Sequence, residues 1–143
     1  MLESLEDNAI SKTISVMHDY PEFVNLQTLD MVLFEDLRVS IDDDMFFSEL
    51  MTTYLQSTAQ LMDEIQDAFT NQDAYKFVIS AHSLKSINAS IGATKLSQIS
   101  KYLEKASTTA EINVSNDILH LLNHEYAEVV KTIQTHILEF MAQ

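Results

Sequence analysis

Residues 81–105 decide the fold; they read AHSLKSINASIGATKLSQISKYLEK and contain the chain's single glycine, Gly92. On both sides of Gly92, mostly apolar positions recur at spacings of three and four, which is the period of one helical face. A glycine after such a pattern readily takes the positive φ that ends a helix. We therefore predict two helices folded back on each other at Gly92. Their inner positions are Phe77, Ala81, Leu84, Asn88 and Ile91 before the glycine, and Leu96, Ile99, Leu103 and Ala106 after it.

This hairpin would bring a histidine and a carboxylate together. His82 lies ten residues before Gly92, and Glu104 lies twelve residues after it. With a rise of about 1.5 Å per residue in antiparallel helices, the two side chains come within roughly 3 Å of the same height. We therefore expect the carboxylate to face the imidazole.

The surface around His82 combines a cation with small side chains. Lys85 and Ser86 lie three and four residues after His82 and share its patch of the helix, and Ala89 follows seven residues after it. Small side chains on an exposed helical face leave room for the backbone of another protein. This arrangement indicates transfer of an anionic group between the imidazole and a bulky partner.

The combined pattern resembles the signature of the histidine phosphotransfer (Hpt) domains of bacterial and fungal phosphorelays. It departs from that family at two positions, because Ser86 stands where the family usually has glycine and Glu104 where it often has glutamine. A glutamate at the second position is similar to the phosphotransfer domain of chemotaxis kinases. The matching residues are Ala81-His82-Ser83-Leu84-Lys85-Ser86, Gly92-Ala93, Leu96 and Leu103-Glu104.

The resemblance implies a role for each of three residues. His82 would accept a phosphoryl group from the phospho-aspartate of a receiver domain, or from a kinase, and pass it to a response-regulator aspartate. Lys85 would offset the charge of the phosphoryl oxygens, as cations do in phosphoryl transfer. Glu104 would accept the hydrogen of Nδ1, which leaves Nε2 as the nucleophile and stabilises positive charge on the ring.

The resemblance also implies the partners. They are receiver domains of response regulators and of a sensor (hybrid) histidine kinase, and Mg²⁺ would be supplied at the receiver. We expect a monomeric phosphoryl carrier without autonomous kinase activity and without a cofactor or metal of its own. The residues expected to contact the partner are Ile79, Ser86, Ala89, Lys101 and Lys105, with Gly92 as the structural turn.

Composition limits the fold to one helical domain. The 143 residues are 46% apolar and include one glycine, one proline and no cysteine. Few glycines and prolines argue against an all-β fold, and the absence of cysteine excludes disulfides and thiol chemistry. We predict an all-α protein, an antiparallel up-down four-helix bundle with one or two additional N-terminal helices. No leader-like segment and no run of 18 apolar residues occur, so we expect a cytoplasmic protein without membrane contact.

The chain divides at its single proline. Residues 1–21 are predicted to form an appended amphipathic helix, and residues 22–143 the four-helix-bundle domain. Within that domain, apolar spacing predicts a short helix from Leu26 to Leu37. Four long helices are predicted to begin near Asp43, Asp73, Ala93 and Asn116.

Charge is distributed unevenly along the chain. The net charge is −14, which argues against nucleic acid as a partner. Residues 81–105 contain four lysines against one glutamate, a local +3, whereas the remaining residues sum to −17. We interpret Lys85, Lys95, Lys101 and Lys105 as a basic patch around His82 that attracts a phosphoryl group and an acidic docking surface.

Two other functions compete with phosphotransfer. One is an adaptor that binds receiver domains without taking phosphate, although an adaptor has no need of His82 and Lys85. The other is a metal-binding bundle, because His120 and His124 lie one turn apart on the last predicted helix. Metal sites in helical bundles draw ligands from several helices, and the sequence offers no such set beyond nearby Asp117 and Glu128.

Overall fold

The computed structural model describes residues 19–141, and the side chain of residue 140 lies outside the description. The predicted N-terminal helix within residues 1–21 falls almost wholly outside the described residues. In the described part, a 3₁₀ turn at Pro21–Phe23 precedes five α-helices. They are α1 (Met31–Ile41), α2 (Asp44–Thr70), α3 (Ala74–Ile91), α4 (Thr94–Ala106) and α5 (Asn116–Met141).

Aspartates set the starts of three helices. The Oδ1 atoms of Asp30, Asp43 and Asp73 accept hydrogen bonds of 3.1–3.2 Å from backbone N–H groups in the first turns of α1, α2 and α3. Such caps satisfy N–H groups that have no partner within the helix. The predicted starts of α2 and α3 are confirmed.

The predicted start of α1 at Leu26 is wrong by five residues. Residues 24–30 instead run as a strap along the hairpin between α3 and α4. The backbone N–H of Lys95 donates to the Gln27 carbonyl at 2.9 Å, and that of Asp30 donates to the Gly92 carbonyl at 2.7 Å. Apolar spacing could not reveal these hydrogen bonds, because their partners are more than 60 residues away in sequence.

The predicted turn at Gly92 is confirmed. Gly92 has φ +88 and ends α3 in the left-handed conformation. A Cβ atom there would lie 3.0 Å from the Asp30 carbonyl oxygen. Glycine is therefore needed both for the backbone conformation and for the close approach of the strap.

The four long helices form the predicted bundle. Each of α2 to α4 packs against the next helix along the chain, α5 also packs against α2, and α1 lies against α2 and α3. The predicted inner face of α3 is buried, as are Leu96, Ile99 and Leu103 on α4. Of the described helices, not one is both long and apolar enough to cross a membrane. The largest fully buried side chains include Phe34, Phe47, Met51, Phe77, Leu84, Ile118 and Leu122.

Candidate functional site

The site histidine lies on the outer face of α3. His82 follows Ala81, which is fully buried, and its own side chain is 59% exposed. Because α3 buries the positions three or four residues apart on its other side, the imidazole stays at the surface while its backbone is fixed by the core. A large partner can therefore reach the ring.

Glu104 on α4 contacts two groups of α3 at once. Its Oε1 lies 2.9 Å from Nδ1 of His82, and its Oε2 lies 3.0 Å from Nζ of Lys85. An ionised carboxylate accepts hydrogen bonds but donates none, so the hydrogen of the first contact belongs to Nδ1. In a neutral ring, this leaves the lone pair on Nε2.

The environment of Glu104 favours its charged form. Partial burial alone would raise the pKa of the carboxyl, but the hydrogen bonds to Lys85 and His82, together with their charges, outweigh it and lower the pKa below its ordinary value. Glu104 is therefore an anion at neutral pH. One carboxylate thus contacts both an imidazole and an ammonium group.

The face of α3 around His82 is a mixed apolar and small-residue surface. Ile79 is 45% exposed, and Ser86 and Ala89 are exposed on the same face. Tyr75, which the sequence analysis did not select, is exposed one turn before Ile79. Tyr75 lies seven residues before His82, and this spacing places both residues on the same face of the helix, so the sequence could have indicated it.

The predicted basic patch is smaller than expected. Lys101 and Lys105 lie on α4, where they line a surface cavity of about 330 Å³ with Phe23 and Tyr102. Lys95 is not part of this surface: its side chain is 13% exposed, and its Nζ lies 4.0 Å from the buried Glu125 on α5. Lys95 thus compensates charge inside the fold instead of facing a partner.

The hydrogen bonds of three polar side chains beneath the site also escaped the sequence analysis. Ser97 Oγ donates to the backbone carbonyl of Lys85 at 2.9 Å. On the core side, the Tyr54 hydroxyl donates to Asn88 Oδ1, and Asn88 Nδ2 donates to the Leu84 carbonyl at 2.7 Å. Asn88 was assigned to the inner face, but its partner on α2 lies 34 residues away.

The alternative metal site gains no support from the geometry. Within residues 19–141, no group of three or more histidine, aspartate or glutamate side chains is arranged to hold a metal ion. His120 and His124 remain two half-buried histidines on α5.

Comparisons with known proteins concern the sequence family and the fold of this chain. The sequence model of a protein family, described as "Hpt domain", matches residues 49–132. The fold is similar to the crystal structure of histidine-containing phosphotransfer protein B (HptB) from Pseudomonas aeruginosa PAO1, with a TM-score of 0.72 and 20% sequence identity. The similarity covers 78% of this chain and 96% of that chain. At this identity it is a likeness of fold. A comparison with curated protein sequences gives no match.

Proposed function

This chain belongs to the Hpt domain family, and we propose that it is a phosphorelay intermediate that carries a phosphoryl group on Nε2 of His82. The observation that carries this proposal is the Glu104 carboxylate, which contacts Nδ1 of His82 at 2.9 Å and Nζ of Lys85 at 3.0 Å. Hpt domains carry phosphoryl groups and are not kinases, so the donor and the acceptor lie outside this domain.

The transfer begins with a neutral imidazole. Nε2 attacks the phosphorus of a phospho-aspartate in line, the N–P bond forms, and the P–O bond to the aspartate breaks. The aspartate leaves as a carboxylate, and the proton on Nδ1 stays with the ring. Positive charge grows on the ring during this step, and the adjacent Glu104 carboxylate stabilises it. The reverse sequence delivers the phosphoryl group to the next aspartate.

In this scheme, Lys85 changes its partner when the phosphoryl group is transferred. Before transfer it pairs with Glu104, but a phosphoryl group on Nε2 brings more negative charge and three acceptor oxygens to the same surface. Lys85 is on the turn after His82, so its flexible side chain can exchange the carboxylate for the phosphoryl oxygens. Glu104 remains hydrogen-bonded to Nδ1 throughout.

The partner that fits this surface is a receiver domain. Its phosphorylatable aspartate is held in an acidic site whose Mg²⁺ stabilises the transferring group, so the partner supplies the metal. The exposed Ile79 and the small Ser86 and Ala89 allow close approach. Lys101 and Lys105, in a protein of net charge −14, would orient an acidic partner toward α4.

The test is phosphoryl transfer from a phosphorylated receiver domain in the presence of Mg²⁺. We expect acid-labile, base-stable label on the wild-type protein and none on His82→Gln. His124→Gln, on the half-buried face of α5, is the matched control and should label as wild type does. Receiver binding without any label would favour the adaptor function, and label that persists in His82→Gln would assign the wrong residue.

A further inference from the structure

The double contact of Glu104 depends on the axial register of α4 on α3. His82 and Lys85 lie three residues apart, about 4.5 Å along the helix axis, whereas a single carboxylate reaches both. If α4 slides along α3, the carboxylate approaches one group and leaves the other. A slide of about 1.5 Å, the rise of one residue, would break one of the two contacts.

Apolar packing and the turn at Gly92 set the approximate register of these helices, and buried polar contacts can fix it more finely. Besides the large buried side chains of α4, two small polar ones are buried, Ser97 and Ser100, and Glu104 follows four residues after Ser100. Small side chains let the helices approach closely but interlock less than large ones. The turn at Gly92 fixes the register at one end, twelve residues before Glu104.

Ser97 supplies a directional contact between that turn and the site. Its hydroxyl donates to the Lys85 carbonyl at 2.9 Å, and the side chain is 4% exposed, so water does not compete for this bond. Ser97 lies two turns before Glu104 on the same face of α4. Its acceptor belongs to the residue whose ammonium group contacts Glu104.

The turn of α3 that contains the Lys85 carbonyl is also hydrogen-bonded to α2. The preceding carbonyl, that of Leu84, accepts a hydrogen bond from Asn88, which in turn accepts one from Tyr54 on α2. This turn of α3 is therefore fixed to the core, and Ser97 ties α4 to a fixed point.

We propose that Ser97 is a positioning residue for phosphotransfer: its hydrogen bond to the Lys85 carbonyl sets the register at which Glu104 reaches both His82 and Lys85. The proposal deepens the proposed function and rests on it. Ser97 touches neither the phosphoryl group nor the imidazole and acts through Glu104 alone.

A control residue lies one turn away on the same helix. Ser100 is also buried, but its hydroxyl donates to the Leu96 carbonyl of its own helix at 2.7 Å. Ser100→Ala removes the same atom from a buried position of the same helix without removing a hydrogen bond between helices. A general effect of serine removal would therefore appear in both variants.

The experiment compares the full-length wild type with Ser97→Ala, Ser97→Cys and Ser100→Ala. The first measurement is the ¹⁵N spectrum of His82, which reports whether Nδ1 or Nε2 carries the hydrogen of the neutral ring. The second is the rate of transfer from a phosphorylated receiver. Cysteine has the shape of serine with a slightly larger terminal atom and donates weakly, so Ser97→Cys removes most of the hydrogen bond without leaving a cavity and carries the test if Ser97→Ala does not fold.

We expect both Ser97 variants to lose the preference for hydrogen on Nδ1 and to transfer roughly 3- to 10-fold more slowly, while Ser100→Ala matches the wild type. A wild-type spectrum in Ser97→Ala would overturn the proposal, and so would a wild-type spectrum in Ser97→Cys, since it would assign the effect to packing. If the wild-type protein accepts no phosphoryl group, the proposed function fails, but the spectra still decide whether Ser97 positions Glu104.

Discussion

Replacing Gly92 by alanine should destabilise the protein through two separable effects. At φ +88, an alanine is in the left-handed region, which costs about 1–2 kcal/mol. The new Cβ would lie 3.0 Å from the Asp30 carbonyl oxygen. That oxygen cannot easily withdraw, because it accepts the Phe34 N–H at 2.9 Å while the Asp30 N–H donates to Gly92 at 2.7 Å.

The two effects set the size of the loss. Crowding of this kind costs about 1–3 kcal/mol, and the smaller freedom of alanine in the unfolded chain returns about 0.4–1 kcal/mol. We therefore expect the free energy of unfolding to fall by about 1–4.5 kcal/mol, against a typical total of about 5–15 kcal/mol. Urea denaturation at constant m-value measures the loss.

A second variant separates the two contributions. Gly92→Asn has the same Cβ contact, but asparagine tolerates the left-handed conformation better than alanine. It should therefore lose about 1 kcal/mol less than Gly92→Ala. A loss below about 0.5 kcal/mol in Gly92→Ala, within the range of ordinary surface substitutions, would refute the reasoning that this turn requires glycine.

Three further predictions concern buried or paired polar groups. The pKa of Glu104 is lowered in the folded protein. Its contribution to stability is therefore complete above the ordinary carboxyl pKa and is lost as the pH falls through the lowered value. Glu104→Gln should make the free energy of unfolding fall less steeply in acid, as measured by urea denaturation at several pH values. Burial raises the pKa of Glu125 although the charge of Lys95 opposes this, so the charged form of Glu125 opposes folding as the pH rises. The change in melting temperature caused by Glu125→Gln should therefore be more positive at neutral pH than in acid, and the reverse order would contradict this. Tyr54→Phe should cost about 1–3 kcal/mol in urea denaturation because it leaves the buried Asn88 oxygen without a donor, whereas Tyr75→Phe at the surface should be nearly neutral.

The hairpin and its two facing groups could be predicted because they depend on local rules. Helical rise, the three-and-four spacing and one glycine suffice to place His82 and Glu104 at the same height. Aspartates at the capping positions likewise predict where α2 and α3 begin. Each of these signals lies within a few residues of the feature that it predicts.

The missed features depend on contacts between distant segments. Helix α1 begins at Met31 and not at the predicted Leu26, because the preceding strap is hydrogen-bonded to the α3–α4 hairpin instead of forming helix. Lys95 looked like a surface cation until α5 brought Glu125 beside it. The spacing of residues in the sequence does not predict which helix a polar side chain will contact. The hydrogen bond of Ser97 to the Lys85 carbonyl could therefore not be predicted.

A glutamate at position 104 gives this site a property that a neutral amide would not. An amide oxygen could accept the hydrogen of Nδ1, but it carries no net charge to hold the Lys85 ammonium. With Glu104 the cation is stored 3.0 Å from the carboxylate and next to the nucleophile before any phosphoryl group arrives. In our scheme, the incoming phosphoryl group must compete for Lys85, and its greater charge decides that competition. Under the proposed function, the same carboxylate would therefore orient the imidazole in the empty carrier and release the lysine in the loaded one.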